Sequence, residues 1–138
     1  MKKIISVIVL SLASFTSMAA SVSFPESLEV IGVNGLHNVD SRVLQLDKGQ
    51  NLIELQYRDL FESSADDSNW VRSEPLYLYI DLKMAEKYKA VTPSILSEED
   101  AYQFIDSPYI KLTDASGSEK QVPLMTHSQL MAKLLLQK

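Results

Sequence analysis

Seven residues, Leu76-Tyr77-Leu78-Tyr79-Ile80-Asp81-Leu82, alternate an aliphatic side chain with an aromatic or charged one without a break. Successive side chains of an extended strand point to opposite faces, so such a run puts one face in an apolar interior and the other toward water. Wound as a helix, the same residues would spread their aliphatic groups around every side. A half-covered strand needs strand neighbours and a second layer over its apolar face. The chain is thereby committed to β structure.

Other segments supply the neighbours. Leu28 to Val33 is rich in β-branched residues and runs into Asn34-Gly35, the dipeptide that best tolerates the two positive φ angles of a type I′ hairpin. Leu36 to Val39 is the expected return strand. Val43 to Leu46 reads as a short strand stopped by Asp47-Lys48-Gly49. Asn51 to Tyr57 follows, with Ile53, Leu55 and Tyr57 on one face and Glu54 and Gln56 on the other. Together these describe a meander. Residues Arg58 to Asn69 break the pattern, and Ser63-Ser64 and Asp66-Asp67-Ser68-Asn69 read as a polar loop.

Ser97-Glu98-Glu99-Asp100 is a helix start: a serine cap, then three carboxylates at the positive end of the helix dipole. Ala101, Phe104 and Ile105 share a face, and Pro108 ends the segment. Tyr109 to Thr113 and Gln121 to Met125 read as strands around the turn Asp114 to Ser118. Ser128 caps a last helix in which Leu130, Met131, Leu134 and Leu135 share one face. The sum is a mainly β fold, a small antiparallel β-sandwich-like domain with one or two short helices. An α+β arrangement, with the terminal helix covering one sheet, is the alternative.

The N-terminus predicts export. Lys2 and Lys3 precede an apolar stretch from Ile4 to Phe15, and Ser17-Met18-Ala19 presents the small residues that a signal peptidase reads. Residues 1–19 are expected to be a signal peptide cleaved before Ala20. The apolar run is shorter than the roughly 20 residues that span a bilayer, so no stable membrane insertion is expected after cleavage. Residues 20–138 suit one domain of 119 residues, and the expected location is the periplasm. With 18 acidic residues against 11 basic ones after Lys2 and Lys3 are removed, the domain carries a net charge of −7. That repels phosphate backbones and anionic headgroups and argues against nucleic acid as a partner. The chain has no cysteine, so stability has to come from buried apolar area without disulfides.

The residues that do chemistry are scattered. His37 and His127 are 90 positions apart and read as surface groups at segment ends. No Gly-x-Ser-x-Gly or His-Glu-x-x-His spacing accompanies them. Glu98-Glu99-Asp100 is explained by helix capping, and Asp66-Asp67 lacks the alternating ligands and turn glycine of a calcium loop. No catalytic residue, metal ligand or cofactor is assigned, and a hydrolase is the weakest reading. The aromatic residues Phe61, Trp70, Tyr77 and Tyr79 are the candidate partner-binding group, because exposed Trp and Tyr give large contact area at low entropic cost. Set against this, Phe61 and Trp70 can fold over the core while the tyrosines pack under the terminal helix.

One ordered set of residues carries a resemblance: Val30, Val33-Asn34-Gly35, Val39, Leu46, Gly49-Gln50-Asn51-Leu52-Ile53, Gln56-Tyr57 and Ser73-Glu74-Pro75-Leu76. In that order they are similar to the core pattern of the YccT-like family of small secreted proteins of Gram-negative bacteria, over about Ser21 to Met125. The resemblance implies a periplasmic, non-enzymatic binding or regulatory protein. At least one branch of that family is associated with inhibiting curli, so an envelope or secreted protein, a curli subunit among them, is the implied partner. Longer members continue with a further helical region beyond the point where this chain reaches Leu134-Leu135-Leu136. The reading from a different class is a cell-envelope module associated with glycan or peptidoglycan, motivated by the aromatic group on a small β architecture.

Overall fold

The computed structural model describes residues 19–37, 39, 41–83 and 85–137. The segment expected to be a signal peptide lies, except for Ala19, outside the described residues. The elements in chain order are β1 (Ala20–Ser23), β2 (Leu28–Val33), β3 (Leu36–His37), β4 (Val43–Leu46), β5 (Gly49–Ser64), β6 (Asp67–Arg72), β7 (Leu76–Leu82), β8 (Lys87–Val91), α1 (Glu98–Asp106), β9 (Tyr109–Thr113), β10 (Glu119–Pro123) and α2 (His127–Leu136). One sheet runs β10-β9-β8-β1-β4; the other runs β3-β2-β5-β6, with β7 also paired to β5.

Alternation builds the interior. Val22, Leu44, Leu46 and Ile110 from the first sheet join Leu28, Ile53, Leu55 and Leu78 from the second in one buried cluster. The mainly β sandwich with two short helices is therefore the architecture, and β7 keeps all four of its aliphatic residues inside. One pair departs from the antiparallel expectation, since β1 lies parallel to β8.

The meander expectation is corrected. The Asn34-Gly35 turn forms with φ of 50° and 83°, and β3 returns along β2 as expected. The chain then crosses to the other sheet, where β4 pairs with β1 from Ala20↔Leu46 to Ser23↔Val43. Local periodicity cannot distinguish a strand that returns beside its predecessor from one that changes layer. β1 and β8 were not expected at all. Ala-Ser-Val-Ser and Lys-Tyr-Lys-Ala-Val are short and polar, and their pairing comes from neighbours remote in sequence.

The polar loop expected at 58–69 is also corrected. β5 continues through it to Ser64, turns at Ala65-Asp66 and returns as β6, with Arg58↔Arg72, Leu60↔Trp70 and Phe61↔Asn69 as facing pairs. Ladder hydrogen bonds satisfy the backbone of this polar ribbon, so it does not need a fully apolar face. The same edge of β5 pairs with β7, from Gly49↔Leu82 to Leu55↔Leu76. Between the two partners, Ser73-Glu74-Pro75 stands opposite only Gln56-Tyr57, a bulge. Pro75, which lacks an N–H, is tolerated there. The Ser73 hydroxyl accepts from Tyr57 N at 3.0 Å and donates to Glu74 O at 2.7 Å, replacing what the interrupted ladder loses.

Both helices form. In α1 the Ser97 hydroxyl accepts from Asp100 N, and the Asp100 carboxylate accepts from Leu96 N. Ala101 and Phe104 are buried, with the Phe104 ring 5.1 Å from that of Tyr57. The cap of α2 is Thr126 rather than Ser128, because Gln129 reciprocates: Thr126 Oγ1 accepts from Gln129 N, and Gln129 Oε1 accepts from Thr126 N. Of the four apolar residues expected to share a face, Leu130 is buried while Met131, Leu134 and Leu135 stay exposed.

Candidate functional site

Two of the family-like motifs turn out to be scaffold. Asn34 Nδ2 donates to Asn51 Oδ1 at 3.0 Å, and Leu52 N donates to Asn34 Oδ1 at 2.8 Å. Asn51 is buried in β5, and its amide donates to Asp47 O and Gly49 O. The Asn-Gly turn and the Gly-x-Asn segment are thus tied together and hold the second sheet in register. Ser73-Glu74-Pro75 is the bulge.

The outer face of the second sheet is different. Its outward positions run Glu29 and Ile31 on β2; Leu52, Glu54, Gln56, Arg58 and Leu60 on β5; Trp70 and Arg72 on β6; and Tyr77, Tyr79 and Asp81 on β7. The four aromatic candidates do not form one group. Tyr77 and Tyr79 are half-buried beneath α2: the Tyr77 ring lies 6.1 Å from that of His127, and Lys133 Nζ sits 4.8 Å from the centre of Tyr79. Phe61 is half-buried against the core, its pair with Asn69 facing away from Leu60↔Trp70. Of the four, Trp70 alone lies at the surface, 48% exposed.

Trp70 has a cation for company. The Arg58 guanidinium carbon lies 4.3 Å from the centre of the indole ring. Among the described residues Arg58 makes no ion pair, and its buried Nε has no acceptor. The side chain is held by stacking. Arg58, Leu60 and Trp70 line an open cleft of about 1210 Å³ together with Glu26, Glu29, Arg42 and Asp59. Arg42 is paired with Glu26 at 3.0 Å. Sequence reasoning missed Arg58 and Arg72 because it read the ribbon as a loop. Continuing the alternation of Asn51 to Tyr57 past residue 57 would have put Arg58 and Leu60 on the outer face.

A second cluster lies deeper on this face. His37 Nδ1 is 3.8 Å from Glu54 Oε2, and the Tyr77 hydroxyl donates to Glu54 Oε1 at 3.4 Å. Burial, followed by the nearby Glu54 carboxylate, raises the Tyr77 phenol above its ordinary value, so it stays a neutral donor. No serine or threonine hydroxyl forms part of this set of contacts, and His37 and His127 are both exposed. At the remaining carboxylates, Asp67 accepts from the Ser63 hydroxyl in the ribbon turn. Asp114 accepts from the Ser116 hydroxyl and from the N–H groups of Ser116 and Ser118, which lower its pKa. Among the described residues no group of three or more His, Cys, Asp or Glu is placed to hold a metal ion. Also among them, no helix is long and apolar enough to cross a membrane.

The chain is similar to a UPF0319 protein of Photobacterium profundum, 27% identical over 142 residues that cover 96% of this chain and 67% of that protein. No solved structure matches it. Residues 21–137 match the model described as "Uncharacterized protein conserved in bacteria (DUF2057)", and the chain belongs to that family.

Proposed function

We propose that this protein is an exported, non-enzymatic binding module of the cell envelope that receives a partner polypeptide along the β5–β6 ribbon. The observation that carries the reading is the Arg58–Trp70 stack at the wall of an open cleft. Hot spots of protein interfaces are enriched in Trp and Arg, and stacking pre-orders both side chains before a partner arrives. The backbone supports the same reading. Through Arg58, whose N–H donates to Ser27 O, β5 is flanked on both sides; beyond it β6 is its one strand partner among the described residues, and a strand added to the opposite edge would take over the Leu60 N–H from the Asp59 carboxylate that accepts from it. The outer edge of β7 suits this less well. Two backbone bonds between Tyr77 and Met125 close its start, and the Asp81–Lys83 pair guards its end.

Export rests on the Lys2-Lys3 start, the apolar stretch and Ser17-Met18-Ala19. Cleavage before Ala20 would keep β1 whole, since that strand begins at Ala20. An amyloid subunit such as that of curli is the partner suggested by the YccT-like resemblance, and its strands would suit an open β edge. The test is photo-cross-linking from positions 60 and 68, on the same face as Trp70, in intact cells, followed by mass spectrometry and fractionation. Cross-links from both positions to one envelope protein, lost in Trp70→Ala, are expected. An identical capture pattern in Trp70→Ala overturns the reading. Retention on isolated sacculi that depends on Trp70 would favour the glycan-associated module instead.

A further inference from the structure

The ribbon breaks a rule of strand pairing. Arg58 and Arg72 stand directly opposite each other across the β5–β6 ladder, so both project from the same face. Like charges at facing positions of an antiparallel pair destabilise it. No acidic side chain relieves them: the ion pairs among the described residues are His37–Glu54, Arg42–Glu26 and Lys83–Asp81. The sequence holds three arginines, and the third, Arg42, lines the same cleft as Arg58. Arg42 is neutralised by Glu26, so the two arginines without an ion pair among the described residues are the two that face each other on the ribbon. Local rules broken without compensation inside the fold mark places where a ligand supplies it.

We infer that Arg58 and Arg72 form a two-guanidinium receptor for the carboxylates of an extended acidic peptide segment laid across the outer face of the β5–β6 ribbon. This rests on the binding reading above and names the chemistry of the partner. Guanidinium groups bind carboxylates through paired, charge-assisted N–H···O bonds, which a lysine ammonium cannot match in geometry. An extended segment shows alternate side chains to one face, so a run of acids laid on the ribbon sets two carboxylates over the arginine pair.

The protein reports on its own occupancy, because Trp70 is its only tryptophan and Arg58 lies on its ring. The processed full chain is titrated with a short oligoglutamate peptide while Trp70 emission is followed. Expected is a saturable change that weakens at about 0.5 M salt and is absent with oligolysine. Arg72→Gln should weaken the affinity about tenfold or more while leaving the melting temperature unchanged or higher, because a like-charge pair has been removed. An unchanged affinity in Arg72→Gln overturns the receptor, as does a clear fall in its melting temperature. So does a response to inorganic phosphate or polygalacturonate where oligoglutamate gives none. Loss of cross-linked partners in Trp70→Ala but not in Arg58→Gln or Arg72→Gln would overturn the receptor and leave the binding face standing. If none of the three variants loses partners, the binding face fails, and the oligoglutamate titration still decides the receptor.

Discussion

β5 is one strand with two environments, and its halves make a controlled comparison. From Asn51 to Tyr57 it lies between β2 and β7, and every second side chain is buried in the sandwich. From Arg58 to Ser64 it keeps β6 as its partner, and its side chains range from half-buried to exposed. The backbone conformation and the alternation continue through both. What changes is the layer behind the strand. Where the first sheet covers the inner face, the sequence must supply Ile53, Leu55 and Tyr57. Where that cover thins, Phe61 and Val71 still reach the core from the inner face, and the outer side chains are free to serve recognition. The Ser73-Glu74-Pro75 bulge marks the boundary.

The largest break in the comparison comes from truncating the covered half. Leu55→Ala, at a position with no exposure, should cost about 2–5 kcal/mol, read as a fall in the urea midpoint at unchanged slope. At the boundary, Ser73→Ala leaves the Tyr57 N–H without its acceptor in a buried place and should cost about 1–3 kcal/mol in the same measurement. A loss from Ser73→Ala as large as that from Leu55→Ala would mean that the bulge, not the core, organises the sheet.

Alkaline titration sharpens the boundary from another side. Burial, and then the Asp59 carboxylate 3.5 Å away, hold the Tyr57 phenol far above its ordinary pKa near 10. The folded state therefore binds this proton more tightly than the unfolded chain does. The resulting stability is complete below about pH 10 and is lost progressively as pH rises above it. Tyr57→Phe should remove that alkaline fall, as followed by chemical denaturation at increasing pH. The smallest effect on stability belongs to the uncovered half. Trp70→Ala should change unfolding free energy by no more than about 1 kcal/mol, the scale of an exposed cation–π contact, while abolishing partner capture. A cost near that of Leu55→Ala would show that the ribbon is part of the core and would erase the distinction between the halves.

The candidate site was only partly legible in the sequence. Trp70 stood out as an aromatic, but the grouping with Phe61, Tyr77 and Tyr79 depended on which face each side chain took. Phe61 turned inward, and the tyrosines went beneath α2. The arginines were invisible because the polar content of residues 58–69 hid a paired ribbon.

What the sequence determined by itself are the features decided within a few residues. Alternation fixed β7, Asn34-Gly35 fixed its hairpin, and Ser97 with its acids fixed the start of α1. Tertiary structure alone decided the crossing of β4 to the other sheet, the parallel β1–β8 pair and the meeting of Arg58, Arg72 and Trp70. Periodicity reports which face of an element is apolar. Which remote strand lies alongside it is set by the pairing and burial of the whole chain, and no local window contains that information.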